Sequence, residues 1–179
     1  MAQHALKLTN WYVIQVMTGR EERICSSIKQ TLDPALFKYC FVPQRESLYK
    51  KEGKYISINK PLFPGYLFLI TDHIEQVHSC ICKMPHIIRI LGTGNRFIPL
   101  EEKEVEVLCK FTDKAFNVSL SKGFIVGNEI TITEGPLQGQ EGRIRKIDRH
   151  KRIAIIEVSF LGKGTKVRVP LEIIEKRTS

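Results

Sequence analysis

The alternation of apolar and polar positions changes period several times along the chain, and each change predicts an element. Trp11-Tyr-Val-Ile-Gln-Val16 is a run of β-formers with little polar interruption, which predicts a largely buried strand. Thr18-Gly-Arg-Glu21 has the spacing of a capping box, so a helix is expected to begin there, the hydroxyl capping the Glu21 amide while the Glu21 carboxylate reaches back. Ile24, Ile28 and Leu32 recur every four residues and give that helix one apolar face. Asp33-Pro34 ends it, because proline disfavours helical geometry in the residue before it.

From Phe37 to Ile70 the pattern changes to that of strands. Strands are expected over residues 39–42, 55–58 and 65–70, with a polar ribbon over 50–54 whose Glu52-Gly53 step forms a hairpin tip. Ile74, Val77, His78 and Ile81 return to helical spacing as far as Pro85. Residues 87–91 read as a further strand, Gly92-Thr-Gly-Asn95 as a turn, and Glu101 to Glu104 as the acidic first turn of a helix buried through Val105, Leu108 and Cys109. The order β-α-β-β-β-α-β-α predicts an α+β fold, an antiparallel sheet with packed helices, over residues 1–111.

Residues 112–122 lose all periodicity and are expected to form a linker. Residues 123–179 show no helical period, only short strands over 129–133, 142–145, 152–157 and 165–169 divided by glycine-bearing turns. A small open β-barrel accounts for them. Ile153, Ile155, Ile156 and Val158 are β-branched and commit that region to strands rather than to a helical alternative.

Composition narrows the function. The 179 residues carry 28 Lys and Arg against 19 Asp and Glu, a net charge of +9, which favours a polyanionic partner such as nucleic acid. No apolar run is long enough to span a bilayer and the first residues lack a signal-peptide pattern, so a cytoplasmic protein with no membrane partner is expected. Five scattered cysteines suit reduced thiols. There is no phosphate-binding Gly-x-x-x-x-Gly-Lys loop, no His-Glu-x-x-His and no Gly-x-Ser-x-Gly elbow, so neither an enzyme nor a cofactor is expected. Cys80-Ile-Cys82 has the wrong spacing for zinc and reads as two small apolar residues on a helix, and no metal is expected.

Charge concentrates in residues 143–152, where Arg143, Arg145, Lys146, Arg149, Lys151 and Arg152 stand against Asp148 alone. Strand alternation is expected to send Arg143 and Arg145 to one face and Ile144 to the other. Lys163, Lys166 and Arg168 extend the patch, so the choice lies between an ordinary solvated face and a nucleic-acid surface. Lys60-Pro-Leu-Phe-Pro-Gly-Tyr66 is the other unusual segment. Its prolines and glycine hold Leu62, Phe63 and Tyr66 at the entry to a strand, either as core or as an exposed anchor.

At these residues the sequence resembles the NusG family of transcription elongation factors, which join an N-terminal NGN domain to a C-terminal KOW domain. Trp11-Tyr-Val-Ile-Gln-Val16, Phe63-Pro-Gly-Tyr66, Ile88-Arg-Ile-Leu-Gly92 and the stretch from Gly127 through Gly142 fall in the family's order. The resemblance implies an NGN domain over 1–111 that docks onto RNA polymerase through Phe63 and Tyr66, with Trp11 and Leu62 nearby. Val77-His-Ser-Cys80 resembles the His-Thr-Thr element with which the paralogue RfaH touches the polymerase gate loop, which adds His78 and Ser79.

The KOW domain departs from the general family. Ser159-Phe-Leu-Gly162 stands where general members carry Ser-Ile-Phe-Gly, and basic residues follow where those members have acidic ones. That weakens the expectation of Rho or ribosomal-protein contact and favours a specialised paralogue of the LoaP antiterminator type. The resemblance therefore implies a monomeric antitermination factor that binds polymerase through its NGN domain and a leader RNA hairpin through its KOW domain. A general NusG adaptor to Rho or the ribosome, and a ribosome-associated KOW RNA-binding protein, are the alternatives.

Overall fold

The computed structural model describes residues 9–85, 88–93 and 96–177. The chain divides into two compact units, one formed by residues 1–43 and 63–106, the other by 44–62 and 107–179. The readings placed on residues 1–7, on Ile87, on Gly94-Asn95 and on the last two residues lie outside the described part.

In the first unit, β1 (Trp11–Gln15) lies between β5 (Tyr66–Ile70) and β6 (Arg89–Ile90), and β2 (Tyr39–Phe41) flanks β5. All these pairings are antiparallel, with Trp11 opposite Ile70 and Val13 opposite Phe68. Tyr12, Ile14 and Val16 alternate onto one face with Cys40, Leu67, Leu69 and Ile90. There they pack on Ile24, Cys25 and Ile28 of α1 (Glu21–Thr31) and on Val77 and Ile81 of α2 (Ile74–Ile81). The opposite face is also buried: Trp11, Val13, Phe68 and Ile70 have almost no exposed surface. Trp11 meets Phe41 edge-on at 5.6 Å, Phe41 stacks on Phe68 at 5.7 Å, and Phe63 tilts against Phe68 at 5.7 Å. A strand buried on both sides must be apolar at consecutive positions, which is what the unbroken run at 11–14 encodes.

The second unit holds a three-stranded sheet and a five-stranded one. The hairpin of β3 (Gln44–Lys51) and β4 (Lys54–Pro61) turns at Glu52-Gly53, where both residues have positive φ, 51° and 81°. β3 also pairs in parallel with β9 (Asn117–Val118). The barrel runs in the order β11 (Glu129–Glu134), β10 (Ser121–Val126), β14 (Lys163–Arg177), β13 (Ile153–Phe160), β12 (Ile144–Asp148). Ala154, Ile156, Val158, Val167, Val169 and Leu171 line its core.

Two local expectations fail for physical reasons. The capping box does not form: Arg20 is the residue before α1, and no side chain caps it. Glu21 is instead buried at 3% exposure, and its Oε1 accepts the Gly65 backbone N–H at 2.7 Å. In the barrel, Arg143 lies in a short 3-10 turn (Glu141–Arg143), and a register shift falls between Ile144 and Lys146. The shift breaks the alternation, so Arg145 and Lys146 are both exposed instead of facing opposite ways.

Glu21 thereby fixes the turn that feeds β5. Tyr66 N–H donates to the Phe63 carbonyl at 3.1 Å, Pro64-Gly65 occupies the centre, and Gly65 has φ +86°, the pattern of a type II turn. A Cβ on Gly65 would stand 3.0 Å from the Thr18 hydroxyl oxygen. Gly65→Ala is therefore expected to cost about 1 to 3 kcal/mol of stability, combining left-handed strain with displacement of Thr18. The check is urea denaturation: the midpoint should fall while the m-value stays constant.

Candidate functional site

The first unit carries the aromatic turn. Phe63 is 8% exposed and packed on Phe68, and Trp11 is 1% exposed, so both belong to the interior of the free chain. Leu62, assigned to the second unit by its contacts, is likewise buried. Tyr66, on the far side of the turn, is half-buried. The turn thus plants one aromatic inside and holds the next at the boundary with solvent.

His78 and Ser79 lie on α2. The Ser79 hydroxyl is spent within the helix, donating to the Glu75 carbonyl at 3.0 Å. The His78 ring tilts on Phe97 of β8 (Arg96–Phe97) at 4.7 Å, and its Nε2 lies 3.3 Å from the Cys82 sulfur. It lines a cavity of about 310 Å³ together with Glu75, Arg89 and Arg96. Those two arginines escaped the sequence reading because they lie on separate strands whose closeness to α2 is a tertiary fact. Among the described residues no group of three or more His, Cys, Asp or Glu is placed to hold a metal ion.

The second unit carries the basic surface. Cross-strand register puts Lys146 opposite Ile155 and Ile155 opposite Arg168, so two cations flank one isoleucine on the outer face of β12, β13 and β14. In the next row Glu157 is opposite Lys166 and receives the Arg145 Nε–H at 2.8 Å. The hydrogen bond and charge of Arg145 hold the Glu157 carboxyl below the usual range. Arg143 donates to Gln140 Oε1 at 2.9 Å. Asp148 caps the following turn by accepting the Lys151 backbone N–H at 2.9 Å, which lowers its own pKa, and it lies 3.8 Å from the Lys151 ammonium. Arg152 pairs with Glu172 at 3.0 Å. Lys146, Arg149 and Lys163 form no ion pair among the described residues, so the nine basic residues of the sequence reading differ in how freely they can meet an anion.

Arg45 was missed. It lies on β3, about a hundred residues from the basic run, and its partly buried guanidinium has one nitrogen without a partner. Burial first, and Arg168 second, lower its pKa. Two guanidinium groups brought close with an unsatisfied N–H suit an anionic oxygen. Lys60 is directly opposite Arg45 on β4 and adds a further cation beside it.

Among the described residues no helix is long and apolar enough to cross a membrane. The family profile described as "Transcription termination factor nusG" matches residues 9–109, and that of the KOW motif matches 126–159. The transcription termination/antitermination protein NusG of Buchnera aphidicola is 26% identical over 179 residues, covering 97% of this chain and 99% of its own. The Pasteurella multocida protein of the same name is 24% identical over 172 residues, covering 93% and 94%. A solved structure titled "Domain interaction in Thermotoga maritima NusG" shares the fold with a TM-score of 0.57 at 21% identity, covering 94% of this chain and 96% of that one.

The two aromatics of the turn should separate cleanly by mutation. Phe63→Ala removes a buried ring and is expected to cost about 3 to 5 kcal/mol of stability. Tyr66→Ala, at a half-buried position, should cost on the order of 1 to 2 kcal/mol. Thermal and urea unfolding followed by near-ultraviolet circular dichroism measure both.

Proposed function

The chain belongs to the NusG family of transcription termination factors, whose members are non-enzymatic, and we propose that it is an antitermination factor that holds RNA polymerase in its elongating state while its C-terminal domain binds a structured leader RNA. In this reading residues 1–111 dock on the polymerase through the Phe63-Pro-Gly-Tyr66 turn, Trp11 and Leu62 contribute to the same surface, and His78 and Ser79 form a second contact. Residues 112–122 connect to the KOW domain at 123–179, not as a structureless linker but with β9 paired to β3 and the first residues of β10 within them. The mechanism is population shift: binding energy realised only on the closed, elongating polymerase lowers the fraction in the paused state. It acts in the cytoplasm as a monomer.

The outer face of the barrel carries this proposal. It presents cations on β12 and β14, the strands on either side of β13, and two carboxylates orient neighbouring arginines, Glu157 pairing with Arg145 and Glu172 with Arg152. The alternative of a general adaptor to Rho or a ribosomal protein is less well supported, because Phe160 is buried at 9% and the turn that follows it is formed by Leu161 and Gly162, both at positive φ. The aromatic is thus unavailable as an exposed anchor at the turn.

Tyr66→Ala is expected to weaken binding to core polymerase by about 2 to 4 kcal/mol, the range of a truncated aromatic hot spot. A pull-down or titration with purified core enzyme measures it, and wild-type affinity from the folded variant would remove this turn from the interface.

The RNA surface is expected to engage about four phosphates, giving a slope of log K against log salt on the order of −3 to −4. Removing the charges of Arg143, Arg145, Lys146 and Arg149 together should flatten that slope. A gel-shift series with the cognate leader hairpin and a scrambled one tests it. Equal wild-type affinity for both RNAs would reduce the surface to nonspecific attraction.

A further inference from the structure

The β12–β13 turn borders a cavity of about 480 Å³ whose walls come from both sheets of the second unit: Tyr55 of β4, Arg149, His150 and Arg152 of the turn, and Glu172 and Ile173 of β14. That volume is within the range of ligand clefts, about 300 to 1,000 Å³. The Arg152 guanidinium carbon lies 4.0 Å from the Tyr55 ring centroid, and its Nη1 is 3.0 Å from Glu172. Arg152 holds this position from a left-handed backbone, φ +50°, which costs a side chain of this kind some strain. Arg149 and His150 are exposed, and their side chains make no hydrogen bond or ion pair among the described residues. Tyr55 keeps 48% of its surface exposed.

We propose that this cavity is a subsite for one unpaired RNA nucleotide, its base stacked on the Tyr55–Arg152 platform and its phosphate held by Arg149 and His150. The division of labour follows from the ion pairs. Glu172 largely neutralises Arg152 and fixes the plane of its guanidinium, which suits it to stacking more than to phosphate binding. Arg149 has no carboxylate to leave and is free to meet a phosphate. An aromatic ring beside an unpaired arginine is the chemistry of single-strand recognition, since every base has a face to stack. A continuous duplex keeps its bases stacked on each other and cannot supply one, whereas a loop or bulge can. This subsite rests on the proposal that the KOW domain binds RNA. It adds to it a residue of the β3–β4 hairpin, which precedes the KOW match in sequence.

The experiment uses the full chain, an RNA stem with a wide unpaired loop, and a fully paired RNA duplex with the same number of phosphates, titrated at several salt concentrations. Tyr55→Leu keeps apolar bulk and removes the aromatic face. It is expected to lose about tenfold in affinity for the looped RNA and about twofold or less for the duplex, with an unchanged salt slope. Arg149→Gln should lower the magnitude of the slope by about one on the looped RNA. In the wild type, 4-thiouridine in the loop should cross-link to the peptide containing Tyr55, a readout that does not depend on how the variants fold. No loss from Tyr55→Leu, an equal loss on both RNAs, or cross-links confined to other peptides overturns the subsite while leaving RNA binding by the barrel intact. Tighter binding of single-stranded DNA of the loop sequence overturns its assignment to RNA. A wild type that binds neither RNA overturns both this subsite and the RNA-binding proposal beneath it.

Discussion

The buried carboxylate of Glu21 on the Gly65 amide is the constraint from which the first unit's surface follows. A carboxylate taken out of water is tolerated only where donors are fixed to meet it, and here the donor is the backbone N–H in the middle of a tight turn. That turn cannot relax without orphaning Glu21, and Glu21 cannot swing away without orphaning the amide. The Gly65 carbonyl is engaged in its turn by the Val16 N–H at 2.9 Å, which ties the turn to the end of β1. With the backbone pinned on both sides, Phe63 has one direction to take, into the row of Phe68, Phe41 and Trp11. Tyr66 then starts β5 at the edge of the buried region. The proposed docking surface and the folded core therefore draw on the same few residues, and they separate only because the turn splits its two aromatics between interior and boundary.

Local pattern was enough where a segment's own side chains decide its conformation. The four-residue spacing of Ile24 and Ile28 produced α1, the Glu52-Gly53 step produced a hairpin with both tip residues at positive φ, and the apolar run at 11–14 produced a strand buried on two faces. The pattern misled where a residue had two possible partners. Glu21 stood three residues from Thr18 with the chemistry of a capping box, but an amide forty-four residues away competes for the same oxygen and lies inside the core, where the bond matters more. The bulge at Arg145 is invisible in sequence for a related reason: it depends on the pairing of β12 with β13, and a period-two count has no place for an inserted residue.

The candidate site shows the same division. The basic run at 143–152 could be counted directly, because its charges are neighbours in sequence. Arg45 and Tyr55 could not, since β3 and β4 meet the barrel strands through contacts that no spacing rule encodes. Nor could sequence say which cations are engaged. Arg145 and Arg152 are each held by a glutamate from a different strand, whereas Arg149 is left exposed on the turn.

The Arg145–Glu157 pair is exposed and the Arg152–Glu172 pair is half-buried, and both contribute little stability, because solvent reaches them and ordering two long side chains costs entropy. Their consequence is geometric. A free arginine meets phosphate as a mobile charge and gives affinity without discrimination, whereas an arginine whose plane is fixed by a carboxylate presents a flat surface of defined direction. A basic face made only of free cations would bind any RNA that passes, and its affinity would fall with salt in proportion to the phosphates engaged. The second unit mixes both kinds within one turn, free Arg149 beside the fixed Arg152. In the proposed RNA-binding role, specificity comes from the fixed members, and the acidic residues that hold them serve recognition and are not a defect in the charge of the surface.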